Sequence, residues 1–497
     1  MRWIGLFYCA AVSCAWGQSN SASAQAEQAR QLVASGKPEQ AIPVYERLLK
    51  ADPQNPALLA NLAVAQYEAG RYADSIEQSQ KALKLRPDLT TARLFLGAAY
   101  VKSGAPERAI EPFEKVLAAR PEERNAILML AEALRELGRN DEAARRFLAA
   151  SKLLPDEARV WYGLERSCDA VWRAAVEELN TKAPDSSYSR VLAGDGARRL
   201  GRYALAVRRY HEALAVQPET QSERRAALAP LAEVYRASGH ADWAEEIERR
   251  LSRLTPPGCS SEPECDFQAG RYLELLRAAS PVSPELFFWR AKACETIANE
   301  AHARLAQLPE SAQYEELEAR KREEQGIYQQ AAEHWRRALR LSPKSAELRR
   351  GLALARYHGG DFEQALPVLN ELLAGQPDSA EFNYFYGSSL LLSEQPQRAI
   401  PYLEKVVGND PESLAARGAL GNALLQIGSY EEAIPHLRAA LAVDEDGRIH
   451  YQLARAYRGA GHEEQARQAL EQYRQVQQAA EAQRQAAEEV FEVAPPR

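Results

Sequence analysis

Along this chain, apolar residues recur at spacings of three and four, and Gly and Pro interrupt them at regular intervals. In residues 90–123, Leu96, Gly97 and Tyr100 fall on one helical stripe; after Gly104, Ala109, Phe113 and Val116 fall on a second. The small Gly97 and Ala109 let two backbones approach closely. Pro121 ends the pair, because a proline disfavours helix at the residue before it. The same order runs through 22–55, 56–89 and 124–157. Pro53, Pro87, Pro121 and Pro155 stand 34 residues apart, with Ala41, Ser75, Ala109 and Ala143 twelve positions before them. Tyr45, Phe113 and Phe147 follow the Ala by four, and Gly36, Gly70, Gly104 and Gly138 precede the proline by seventeen. One helix–turn–helix pair cannot bury its apolar stripe alone, so a fixed period of this size predicts a stack of such pairs instead of one globular core.

The pattern returns at 187–220 (Gly201, Tyr203, Ala206, Tyr210, Ala213, Pro218), at 225–256 (Leu231, Ala232, Tyr235, Gly239, Ala244, Pro256) and at 312–345 (Gly326, Tyr328, Ala331, Trp335, Ala338, Pro343). Four more units follow to about residue 480, with Ala365, Ala399, Ala433 and Ala466 at the matching place. Within 56–89 the signature reads Leu59, Leu62-Ala63, Tyr67, Gly70, Tyr72, Ser75, Ala82-Leu83 and Pro87. This order resembles the tetratricopeptide-repeat family, and about ten units in phase carry the resemblance over most of the chain. It implies an all-α fold: an α-solenoid of stacked helix–turn–helix repeats forming a right-handed superhelix.

Two stretches break the period. Residues 158–184 are about five short of a unit and lack the turn glycine, and a second short unit runs from Pro284 to Pro309. Cys168, Leu179, Pro184 and Gly201 of the first map onto Cys294, Leu305, Pro309 and Gly326 of the second. Both are expected to be joints in the stack. The organisation read from the sequence is a leader (1–17), four regular repeats (22–157), a truncated unit plus two repeats (158–256), an irregular C-x5-C segment with the second truncated unit (257–311) and five repeats (312–480). A polar capping helix and frayed tail (463–497) overlap the last repeat.

A chain of 497 residues exceeds what one core supports, a limit that a solenoid escapes by adding layers. The net charge of −7 supplies no global basic field, so nucleic acid is not an expected partner. At the start, Arg2, the apolar run Ile4 to Val12 and Ala15-Trp16-Gly17 read as an export signal, with a second cleavage position after Ala24. Ala11-Val12-Ser13-Cys14 resembles a lipobox, which would acylate Cys14 and provide the only membrane contact. The expectation is an exported protein, periplasmic or associated with the outer membrane.

No catalytic, metal or cofactor site is expected. The eight histidines are scattered and read as surface or turn residues, and no Cys pair has zinc-knuckle spacing. Export would permit disulfides, and Cys259 with Cys265 is the natural pair across a short loop holding Pro263. Cys168 and Cys294 lie in distant units. Because repeats contact only their neighbours, these two are expected to be small buried residues that do not meet.

The family resemblance places the ligand groove on the first helix of each pair, at its second, fifth, ninth and twelfth positions. These give Val64, Tyr67, Leu94, Val101 and Leu128, with Phe95 and Met129 adjoining; Tyr384 and Leu391, flanked by Phe385 and Leu392; and Tyr357 one unit earlier. Asp195 and Arg198 take these places in 187–220, and Arg448, Arg455 and Arg458 line the last repeat. An apolar, aromatic groove suits an extended or helical protein or peptide partner. The family's carboxylate clamp is not matched: Asn61 fits one place, but Ala26, Arg30, Thr91 and Phe95 occupy the others. The roles this leaves are a cell-envelope scaffold or assembly adaptor, an accessory subunit of a polysaccharide- or protein-export machine, or a periplasmic chaperone. A regulatory arm of an enzyme would need a catalytic domain of about 150 residues, and no stretch outside the ladder is that long.

Overall fold

A computed structural model of the chain describes residues 22–216, 218, 220–254, 263–277, 283–488 and 493–496. The leader to residue 17, Cys14 and Cys259 lie outside them, so the expected lipidation and the Cys259–Cys265 bridge fall outside the described residues. The first helices are α1 (22–34), α2 (Pro38–Ala51), α3 (Pro56–Glu68), α4 (Tyr72–Leu85) and α5 (Thr90–Lys102). A 3-10 turn (Pro106–Ala109) leads into α6 (Ile110–Ala119), followed by α7 (Arg124–Glu136), α8 (Asn140–Leu153) and α9 (Ala158–Lys182). Next come α10 (Ser187–Arg199), α11 (Tyr203–Ala215), α12 (Gln221–Ala237), α13 (Ala241–Ser252), α14 (Pro263–Gln268), α15 (Tyr272–Arg277) and α16 (Pro284–Leu305). The remaining helices are α17 (Ala312–Glu324), α18 (Tyr328–Leu341), α19 (Ala346–His358), α20 (Phe362–Gly375), α21 (Ala380–Leu392), α22 (Pro396–Asn409), α23 (Leu414–Gln426), α24 (Tyr430–Ala440), α25 (Arg448–Gly459) and α26 (Glu463–Glu488). Among the described residues there is no strand.

The chain forms two compact units. The first holds residues up to 177 together with 259–305; the second holds 178–258 and everything from 306 onward. Both are built from the helix pairs the period predicts. At the α3–α4 turn, Gly70 is left-handed (φ 77°) and the chain closes with paired bonds, Gly70 N–H to Tyr67 O (2.9 Å) and Arg71 N–H to Gln66 O (2.8 Å). This is a Schellman closure, in which glycine avoids the Cβ penalty of that conformation. In the α21–α22 turn the same place is held by Glu394 at φ 59°, with Gln395 N–H to Leu390 O at 2.9 Å. The ladder's alanines (Ala41, Ala109, Ala143, Ala331, Ala365, Ala399 and Ala433) are all 0% exposed. In the second rung, Ser75 is equally buried and its hydroxyl donates to Ala63 O at 2.8 Å, so the polar substitute is satisfied. The crossing is close: a Cβ on Gly351 would stand 2.6 Å from the Trp335 ring.

The two interruptions are single unbroken helices. The 25 residues of α9 and the 22 of α16 contain no left-handed glycine to stop a first helix and start a second. In the first unit these long helices share one core: Val160, Leu164, Cys168 and Val171 cluster with Leu276, Cys294, Ile297 and Ala301. His302 Nδ1 lies 3.2 Å from Glu165, Arg304 lies 3.3 Å from Asp156, and α15 packs against α8. The nearest-neighbour expectation therefore fails here. Cys168 and Cys294, expected to stay apart, meet as hydrogen-bonded thiols, and that contact together with burial pushes the Cys294 thiol well up. An unbroken helix presents a continuous second face, and the chain returns to cover it after residue 258.

Candidate functional site

Each unit carries the same aromatic triad in the same register. In the first, Tyr67 near the end of α3 meets Phe95 of α5 edge-on, with centroids 5.3 Å apart and planes at 75°. It also meets Tyr72, two residues past the turn glycine, at 5.6 Å. In the second, Tyr357 of α19 meets Phe385 of α21 at 4.8 Å and 75°, and meets Phe362 across its turn at 5.7 Å. Spacings of 5 and 28 residues produce both triads. Edge-to-face geometry is the favoured arrangement for aromatic pairs, so each triad is a preorganised half-buried surface, not a collapsed core.

The surroundings differ. The Tyr67 hydroxyl is raised by burial and then by nearby Glu68, Tyr72 and Glu132. Glu132 is itself raised by burial, opposed by Arg159 at 3.9 Å. The first unit therefore joins aromatic surface to a carboxylate and a guanidinium. Around Tyr357 the neighbours are aromatic: Tyr384 packs on Phe385 at 5.2 Å, and His358 lies 5.3 Å from Tyr357. Burial pushes the Tyr357 hydroxyl up to about 12 and the His358 imidazole down.

Of the groove residues expected from the sequence, Val64, Tyr67, Leu94, Phe95, Val101, Tyr357, Tyr384 and Phe385 are half-buried. Leu128 and Leu391 are corrected: at 2% and 5% exposed they belong to the cores of their units, while Leu392 next door is 48% exposed. A one-residue step along a helix turns a side chain by about 100°, which separates core from surface. Tyr72, Phe362, Glu132 and Arg159 were missed. The first two lie on second helices, and Arg159 lies in a stretch where the repeat register is broken.

A third cluster lies in α10–α12, where the sequence placed Asp195 and Arg198 in the groove. Asp195 is fully buried and accepts from Tyr210 Oη at 2.8 Å; Arg198 stands 3.9 Å away. Tyr188 Oη reaches Ser222 Oγ at 3.3 Å. His211 is not a surface histidine: it is buried, with Nε2 2.9 Å from Tyr235 Oη. His334 and His450 likewise pair with carboxylates, Glu315 and Asp444, at 2.7 and 2.6 Å. Among the described residues no group of three or more His, Cys, Asp or Glu could hold a metal ion, and no helix is long and apolar enough to cross a membrane.

Tetratricopeptide-repeat profiles match residues 26–90, 74–124 and 317–380, residues 100–166 and residues 450–476. A profile described as subunit 3 of the anaphase-promoting complex, or cyclosome, matches 358–440. Among solved structures, the chain is similar to MamA from Desulfovibrio magneticus RS-1 (21% identity over 34% of this chain and 97% of that one, TM-score 0.32). It is also similar to a tetratricopeptide repeat protein from Parabacteroides merdae (14% identity over 68% of this chain and 99% of that one, TM-score 0.32). No curated protein matches the sequence.

Proposed function

Because this chain is a tetratricopeptide-repeat protein, we propose that it is an exported scaffold or assembly adaptor of the cell envelope, holding partner proteins by apolar segments laid on its two aromatic triads. The observation that carries this reading is the recurrence of the Tyr67–Tyr72–Phe95 arrangement as Tyr357–Phe362–Phe385. The repeat period accounts for the matching places; what favours a ligand is that these rings stay half-buried in both units instead of closing into the core, which leaves a surface for a peptide side chain. Aromatic residues of this kind dominate binding energy when a partner desolvates them. The export part of the reading rests on the leader pattern at residues 1–17.

The test is photo-crosslinking from position 384 in cells, with adducts identified by mass spectrometry and fractionation of the envelope. An adduct to a defined envelope protein that disappears in Tyr357→Ala/Phe385→Ala, with unchanged helical circular dichroism, is the expected result. Adducts unaffected by that double substitution would exclude the triad as the contact.

A further inference from the structure

Residues 493–496 carry no regular secondary structure, yet Val493, Ala494 and Pro496 are half-buried. Their anchor is Tyr235 of α12, whose hydroxyl donates to the Ala494 carbonyl at 2.8 Å, across 259 residues of sequence. Tyr235 Oη has one proton, and the carbonyl takes it. His211 Nε2, 2.9 Å away, therefore carries a proton and donates to the same oxygen. The result is a relay, His211 to Tyr235 to the Ala494 carbonyl, whose two side chains are buried in the α10–α13 repeats.

We propose that the α10–α13 repeats are a receptor for an extended, proline-bearing segment, and that the resident occupant is the chain's own Val493–Pro496. The chemistry of the segment matches the chemistry of the site. Pro495 and Pro496 have no N–H, and Ala494, preceding a proline, is held extended. Such a segment offers carbonyl oxygens and apolar rings, so its receptor must supply donors and aromatic surface. Tyr235 and His211 supply the donors, and Trp243, edge-on to Tyr235 at 5.5 Å, supplies the ring. At the places that Tyr384 and Phe385 hold on α21, α10 carries the buried aliphatic Val191 and Leu192, so the aromatic surface beside the segment comes from α12 and α13. An external ligand of the same chemistry must displace this segment, which competes at the high effective concentration of a tethered ligand.

The inference rests on the reading that these repeats take peptides, and its test is separate from that of the aromatic triads. A labelled peptide of residues 489–497 is titrated into the full chain and into Val493→Asp/Pro495→Asp, which disables the resident segment and leaves α10–α13 unchanged. The peptide is expected to bind the double variant at least about tenfold more tightly than the unaltered chain. Adding Tyr235→Phe, which removes one donor and keeps the ring, should weaken that binding about fivefold. Equal affinity for both chains, or no binding to either, would overturn the proposal whatever the fate of binding at Tyr357. A benzophenone side chain at position 493 of the otherwise unaltered chain is expected to label α10–α12 within the same molecule. Labelling elsewhere, or between two copies, would overturn the assignment of the occupant.

Discussion

The two aromatic triads share spacing, similar ring distances and an edge-on pair between neighbouring repeats, yet they sit in different company. Tyr67 has a half-buried carboxylate and a guanidinium beside it, while Tyr357 is surrounded by Tyr384, Phe385 and His358. The repeat thus fixes where a ligand side chain would lie, and the next helices along decide its character. A partner segment on the first unit is expected to combine an apolar residue with a charged one; a segment on the second is expected to be apolar or aromatic throughout. If both triads take ligands as proposed, two surfaces of unlike selectivity in one chain would suit an adaptor that brings different partners together.

The sharpest way to break this comparison is to confuse groove with core. Leu391→Asp would bury a charge in the second unit and is expected to cost about 4 kcal/mol or more, whereas Tyr384→Asp should leave stability almost unchanged and weaken partner binding. Chemical denaturation followed by circular dichroism separates the two, and similar losses would mean that Tyr384 is also a core residue. Next in size, Tyr357→Ala and Tyr67→Ala should each cost about 2 kcal/mol of binding, roughly thirtyfold, for the partner of its own unit only. Calorimetry with each captured partner checks this; a loss that crosses units would merge the two surfaces into one.

A smaller effect is expected at the turn where glycine is missing. Glu394→Gly should stabilise the second unit by about 1 kcal/mol, since it relieves a side chain held left-handed. Gly70→Ala in the first unit should destabilise by a similar amount, and midpoints of denaturant unfolding report both. The least difference between units is expected at high pH. Burial raises Tyr45 in the first and Tyr357 in the second to about 12, above the ordinary 10. A raised tyrosine stabilises the fold while neutral, so each contribution is intact below about pH 10 and is lost as pH rises toward 12. Tyrosinate absorbance in a pH titration should show both late-titrating groups, and both units should soften over the same window.

The repeating part of the fold was legible because Gly, Ala, aromatic and Pro each do one local task at a fixed offset. Gly70 closes a turn, Ala109 admits a neighbour, and Phe113 fills the gap beside Gly97. Tyr67, Phe95, Tyr357 and Phe385 were reachable by carrying that register around the stack. Leu391 and Leu128 show the limit of a position rule, because a single helical step decides whether a site faces groove or core. The Cys168–Cys294 contact and the hold of Tyr235 on Ala494 were invisible for a different reason. They join segments far apart in sequence, and a periodic pattern carries information only about adjacent layers.

That non-local contact gives the first unit a place in time. Cys168 and Cys294 are 126 residues apart, where neighbouring repeats are separated by 34. The longer closure adds only about 1 kcal/mol of loop entropy, so the finished unit loses little stability by it. During synthesis, however, the side of α9 that meets α16 has no cover until the second cysteine has been made. At about 5–20 residues per second, this leaves an apolar helix face waiting for roughly 6–25 s while the chain from Cys168 to Cys294 is produced. The repeats before α9 can stack as they emerge, whereas α9 keeps one apolar face open until α16 has been made.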